Sequence, residues 1–491
     1  MNLPTLDLVI LVTYLAVIVA WGCGFVRKAQ SAEAFMSAGR GMPAWVVGLS
    51  MFGSYVSTLT FLGNPGKAYQ GNWNAWVFAL SLPLAAMIAT RYFVPFFRSS
   101  NELSAYHHLE HRFGAWARTY GVVCYLLTQI ARLGSGIYLL ALALRQLTGL
   151  DMPMLIILSG IVITIYPLFG GTEGVIWTGV VQAIVLVIGA AACLLVLLMN
   201  TPGGPTAIVE QGLSAGKFSL GPYDPSLTRQ TFWVVLFYGM ATNLQNFGID
   251  QSYVQRYITA KSDAAAGRSV WMSALCYIPL SAGFLLIGTA LFVFYSLQSD
   301  QLPAGTKPDD VFPHFLHTQL PTGLRGLVLA AICSAAMDSN LNCCATLYLC
   351  DIHRRYVRPA ASDRESLWVL RITTVVMGAI STGAAIMMIE VKSILDHWWS
   401  LASICSGGTL GLFLLGRMLP RAKSADAFLG TICGVAVILW MTLFPRTEKL
   451  SDWWRSPFHT QMAIVFGTVA ILLIGGLASL RHSSTNQIEP S

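Results

Sequence analysis

Apolar residues come in long runs parted by short polar stretches, and a helix needs about 20 mostly apolar residues to cross hydrocarbon. About thirteen such runs follow one another along the chain. They are Thr5 to Phe25, Met42 to Tyr69, Trp73 to Phe97, Trp116 to Leu147, Met152 to Phe169 and Val175 to Met199. Phe232 to Val254, Val270 to Tyr295, Gly323 to Leu349, Trp368 to Ile389, Ile394 to Leu415, Ala427 to Phe444 and Met462 to Leu480 complete the series. Unpaired backbone groups are not tolerated in lipid, so each run is predicted to be a helix and the chain an all-α membrane protein. The first run has no basic stretch before it and no small-residue cleavage site after it, so it reads as a retained span.

Two spans break the pattern in corresponding ways. The second is interrupted at Gly53-Ser54-Tyr55 and ends in Asn64-Pro65-Gly66. The seventh, five spans later, holds Gly239-Met240-Ala241-Thr242-Asn243 and then Asn246-Phe247-Gly248. Glycine and proline are common in membrane helices generally. In matching positions of two halves, however, they point to discontinuous helices in an inverted repeat, with unwound backbone lining a cavity. On that reading Tyr55, Ser57, Thr60 and Asn243 line one cavity together with Trp76.

Composition agrees with a lipid environment. Only 11% of the 491 residues are charged and 55% are hydrophobic, against roughly 25% charged in soluble domains. The formal charge of +7 is scattered through short loops, which suits topology signals better than nucleic-acid binding. With the N-terminus outside, roughly 17 basic residues face inside and 10 outside, and the C-terminus is cytoplasmic. The ten cysteines lie mostly within apolar runs and read as small buried hydrophobes. No G-x-x-x-x-G-K-[ST] motif supports an ATP-driven pump. His107, His108 and His111, in a cytoplasmic loop, read as a solvated cluster and not as an enzyme site.

Two of the charges inside spans are of note, Arg132 and Asp338. Arg132, in the fourth, costs about 2.5–3.5 kcal/mol on insertion scales and must face the bundle interior. Its own span holds no acidic residue, and guanidinium forks bind carboxylates in a bidentate way, so a substrate carboxylate is a suitable partner. Asp338 on another helix, or carbonyls freed by a broken helix, are the alternatives. Asp338 itself shares a helical face with Ser339 and Asn342 by spacing, an arrangement that suits a sodium ion, a proton relay or a helix–helix hydrogen-bond network.

Four ordered stretches resemble one family. They are Ser57-Thr58-Leu59-Thr60-Phe61-Leu62-Gly63-Asn64-Pro65-Gly66-Lys67-Ala68-Tyr69, Gly170 to Gln182, Gly248 to Arg256, and Asp338-Ser339-Asn340-Leu341-Asn342 with Asp351-Ile352. Together they resemble the sodium/solute symporters over nearly the whole chain. The first stretch and Ala131-Arg132-Leu133-Gly134 look most like the sialic-acid transporter branch. The resemblance implies a LeuT-type fold in a single transmembrane domain over 1–491. Five plus five helices form an inverted repeat, repeat one 42–199 and repeat two 232–415, with one helix before and two after. It implies a secondary symporter and not an enzyme, with cation-coupled (Na+) uptake of a small organic anion such as sialic acid. The expected partners are that solute and the lipid bilayer, with no nucleic acid, and a monomer is the expected unit. Hydroxyls at the places of Ser57 and Thr60 and the arginine at the place of Arg132 line the family's substrate pocket.

The resemblance also implies a sodium site built on backbone carbonyls at the positions of Gly53, Val56 and Ile332, plus two hydroxyls on the ninth span. Here those hydroxyl positions fall on Ala335 and Ala336, and alanine offers no oxygen ligand to a hard cation. Gly179 stands where some members carry an aspartate for an additional sodium. The cation site is therefore expected to shift towards Asp338 and Ser339, or the coupling to be altered or proton-based. A non-transporting solute receptor on the same scaffold is the remaining alternative.

Overall fold

The computed structural model describes residues 3–100, 102–337, 340–390, 394–444 and 454–482, and the side chains of these apart from 146–147, 390 and 394–404. Among the described residues every long element is a helix. Nine helices are long and apolar enough to cross a membrane, ten if one bent pair counts as a single span. Large apolar side chains such as Leu195, Leu473 and Leu477 are exposed on the outer faces of these helices, as a lipid-facing surface requires. All ten cysteines are free thiols, five of them buried.

The first helix, α1 (Thr5–Gly24), carries a fully buried carboxylate, Asp7. It accepts from the backbone N–H of Gly323 at 2.7 Å and of Gly326 at 2.8 Å. These N–H groups open a later helix, Leu324–Ala336, so an acid on one span caps the positive end of another. Gly326 permits the approach, because a Cβ there would lie 2.7 Å from the Asp7 backbone.

The second span is a bent pair, α2 (Ala44–Tyr55) and α3 (Leu59–Gln70), joined at 53°. Its break falls at 56–58, directly after Gly53-Ser54-Tyr55. Next come α4 (Trp73–Ser100), the short α5 (His107–Phe113) and α6 (Ala115–Thr148). The predicted fifth and sixth spans form one 49-residue element, α7 (Met152–Asn200), broken at Gly171 with φ 55° and ψ −164°. A side chain at Gly171 would be strained by that φ and would press on the Phe35 carbonyl at 3.1 Å.

The seventh span departs from the sequence reading. Helix α8 (Phe232–Ile249) runs unbroken through Gly239 to Asn243, and the chain unwinds only at Asp250, before α9 (Gln251–Ile258). Gly239 serves packing: a Cβ there would meet Ser81 Oγ at 2.7 Å and Phe78 Cα at 3.0 Å, so glycine lets α8 lie close against α4. The break is stabilised by Asp250, whose carboxylate accepts from Ser252 N–H at 2.8 Å and caps α9. Although α9 reads as polar, all eight of its residues are buried. Gln251 donates to Leu103 O at 2.7 Å and accepts from Ala105 N–H at 2.8 Å. Gln255 donates to Met36 O at 2.7 Å and Thr172 Oγ1 at 3.0 Å.

After α10 (Asp263–Leu297) and α11 (Pro308–Gln319), the ninth span is also interrupted. Helix α12 (Leu324–Ala336) stops at Met337, whose carbonyl accepts from the Tyr166 hydroxyl at 2.8 Å, and α13 (Asn340–Leu347) follows. The chain closes with α14 (Asp363–Met387), α15 (Ile394–Met418), α16 (Ser424–Leu443) and α17 (Ala463–Ser479). At the α5 end of the bundle, Arg118 Nε donates to the buried Asp351 at 2.5 Å and Arg118 Nη1 to Glu110 at 2.8 Å. His107 joins this network through Arg118 at 2.9 Å. Burial, then the neighbouring Arg112 and Arg417, pushes His108 down to about 4. His107 and His108 are therefore half-buried at the end of the bundle, where the sequence suggested a solvated cluster, while His111 is exposed.

Candidate functional site

Unwinding a span frees carbonyls that need donors. Two side chains supply them at the α2–α3 break. Thr60 Oγ1 donates to Tyr55 O at 3.1 Å, and Arg132 Nη2, from the middle of α6, donates to Ser54 O at 2.6 Å. A guanidinium carries five donors, and Arg132 is half-buried and lines a cavity.

That cavity lies between the two breaks and holds about 1140 Å3 of unfilled space, its open mouth included. Tyr55, Ser57, Thr60 and Arg132 line it, so the structure brings together four of the six substrate-site residues expected from the sequence. Trp76 and Asn243 do not line it. The Trp76 indole donates to Ile278 O at 3.1 Å. Asn243 is fully buried in the α4 contact, donating to Phe78 O at 3.1 Å and Ser81 Oγ at 2.9 Å. Asn243 was singled out beside an expected unwound segment, but an intact helix turns its amide into helix–helix packing.

The cavity gains polar groups that the sequence reading did not place in it. Asp250 sits at the second break, held by Ser252 and by Gln129 Nε2 at 3.4 Å. Tyr277 and Ser281 arrive together from α10, four residues apart on one face. Gln245 and Asn246 come from the last turn of α8. A carboxylate within the apolar run Phe232 to Val254 was the available signal for Asp250. Below these groups the Tyr55 ring packs on Tyr253 at 4.9 Å, Tyr277 at 5.3 Å and Phe247 at 5.5 Å. This cluster floors the cavity, whose lining continues the other way to Gln230 and Gln461. A cation on one wall and hydroxyl, amide and carboxylate groups on the others suit a polar anion with several hydrogen-bonding groups.

Of the expected sodium-site residues, Gly53 lines a second, smaller space of about 270 Å3 beside α2, and Val56 and Ile332 do not line it. Gly53, Ala335 and Gly179 line it with Ser50, Ser334 and Arg256. Val56 ends α2, and Ile332 is fully buried one turn before the end of α12. Asp338 and Ser339 lie outside the described residues. Ser50 Oγ is buried and, among the described residues, accepts no hydrogen bond. Ser334 Oγ is already engaged, by Tyr14 and by Ala330 O at 2.7 Å. The described walls thus include the hydroxyls of Ser50 and Ser54 and the amide of Gln182, together with the Arg256 cation.

Comparison with known proteins places this architecture. The chain is 31% identical over 469 residues to the sodium/sialic acid symporter NanT of Aliivibrio fischeri, covering 94% of this chain and 92% of that one. It is 32% identical to the sodium/sialic acid symporter SiaT of Proteus mirabilis over 88% of each. A solved structure of a Na+-coupled sialic acid symporter, substrate-bound and outward-open, superposes with a TM-score of 0.90 at 29% identity, covering 97% of this chain and 98% of that one. Residues 35–434 match the sodium:solute symporter family, and the chain belongs to that family.

Proposed function

We propose that the protein is a sodium-coupled symporter that takes up a hydroxylated sugar acid of the sialic-acid type. The observation that carries this reading is Arg132, an intramembrane guanidinium that lines a polar cavity between two broken helices. Relatives named as sodium/sialic acid symporters support the substrate class. The proposed architecture has thirteen spans, with inverted repeats over 42–199 and 232–415, the N-terminus outside and the C-terminus cytoplasmic. In that orientation the end of the cavity lined by Gln230 and Gln461 faces outward. The coupling ion is assigned to the space behind α2, held by Gly53, Val56, Ile332, Asp338 and Ser339, and bound sodium would fix the end of α2 against the ninth span.

A second reading is favoured by one specific observation. Ala335, Gly179 and Arg256 share the smaller space, which suits altered coupling or a receptor that binds without transporting. Thermal-shift titration of the purified protein with sugar acids, with and without sodium, tests the first reading. It predicts stabilisation by the sugar acid that strengthens when sodium is added. Stabilisation indifferent to sodium would favour the second reading.

A further inference from the structure

The central cavity is longer than its carboxylate-binding end requires. Tyr238, on α8, and Asp250, just past its end, both lie on its wall and are twelve residues apart, a span of about 18 Å at the helical 1.5 Å per residue. A three-carbon carboxylate seated on Arg132 fills only a fraction of that length.

At the far end the wall comes from the last helix, beyond the ten-helix core. Gln461 precedes α17, and its neighbours Met462 and Ala463 pack with Val234 near the start of α8. The turn is fixed by His459, whose N–H donates to Leu227 O at 2.8 Å and whose ring accepts from Gln461 N–H at 3.3 Å. The Gln461 side chain lines the cavity although the residue is only 4% exposed. Among the described residues its Oε1 accepts no hydrogen bond. A buried amide oxygen without a donor is costly, and a ligand donor in the cavity would relieve that cost. At the other end Gln129 Oε1 is in the same position, 1% exposed and without a donor among the described residues. Both orphans are acceptors. The occupant therefore needs hydroxyl or N–H donors in addition to the anionic group that Arg132 takes.

We infer that Gln461 is a specificity-determining residue that reads the hydroxylated far end of an elongated carboxylate whose acid end sits on Arg132. This rests on the function proposed above and adds a length and donor requirement to it. Short monocarboxylates occupy the Arg132 end alone. A sugar acid with a hydroxylated tail reaches both ends, and its tail hydroxyl donates to Gln461 Oε1.

Isothermal titration of the purified full chain with a three-carbon, a six-carbon and a nine-carbon hydroxy acid tests this. Gln461→Leu is expected to weaken the nine-carbon acid by about tenfold, as loss of one buried hydrogen bond with an orphaned partner does. The three-carbon acid should be unaffected to within about twofold. If Gln461→Leu does not fold, Gln461→Asn, which keeps the amide but withdraws it by one methylene, should show the same chain-length selectivity at smaller size. Unchanged affinity for the nine-carbon acid, or equal losses for all three, overturns the inference while leaving the Arg132 reading intact. A wild-type protein that binds none of the three overturns both.

Discussion

Arg132 has two jobs in this account, and one substitution separates them. It donates to Ser54 O at 2.6 Å at the helix break and it lines the cavity. Arg132→Ala removes both. The uncapped carbonyl costs about 1–3 kcal/mol of stability if water cannot replace the donor. Loss of a charge-assisted pair to a substrate carboxylate costs about 2–5 kcal/mol of binding, roughly 30-fold to several-thousand-fold in Kd. Arg132→Lys keeps the charge but not the fork, so it should recover only part of the affinity. Substrate Kd by isothermal titration and the melting midpoint without substrate report the two jobs independently. The expected result is a moderate fall in the midpoint with near-complete loss of sugar-acid binding. A variant that melts early yet binds the sugar acid within about twofold of wild type would show that Arg132 only caps the helix, and the anion reading would fall.

Three further outcomes follow from particular residues. Asp338→Asn should abolish the cation dependence of uptake while sparing substrate binding in detergent, whereas lower stability with coupled uptake intact would make Asp338 structural. Asp250→Ala should lower the melting midpoint by uncapping α9, a loss of about 1 kcal/mol, and Asp250→Asn should stay close to wild type because asparagine caps as well; equal behaviour of the two would reject the capping role. Gly171→Ala should cost about 1–3 kcal/mol, because φ 55° with ψ −164° is held there without strain only by glycine, and an unchanged melting midpoint would contradict that.

The all-helical, membrane-spanning character was legible in the sequence because hydrocarbon thickness calls for long apolar runs, while nine or ten helices among the described residues are long and apolar enough to span, against the thirteen runs read. The break after Tyr55 was legible too, since glycine and polar residues cluster where the helix ends. The same signal misled in α8. Gly239 there lets α4 approach, and the chain instead unwinds at Asp250, where a carboxylate can cap the next helix. Glycine marks close packing and unwinding alike, and only the neighbouring helix tells them apart. Asn243 was placed in the cavity on that mistaken break, and both it and Trp76 are committed to carbonyls in helix contacts. The interruption at Met337 had no glycine or proline to announce it; its carbonyl is met by Tyr166, far away in sequence. Gln461 was invisible for a similar reason, since nothing in a polar residue at a helix start tells which cavity it borders.

Sodium-coupled transport of a sugar acid can be measured as uptake into proteoliposomes. Protein reconstituted in sealed vesicles, given a nine-carbon sugar acid outside and an inward sodium gradient, should accumulate the acid above its external concentration. Accumulation should collapse when a sodium ionophore dissipates the gradient and be absent in Arg132→Ala. Binding without accumulation, or accumulation that persists after the sodium gradient is dissipated, would contradict the account.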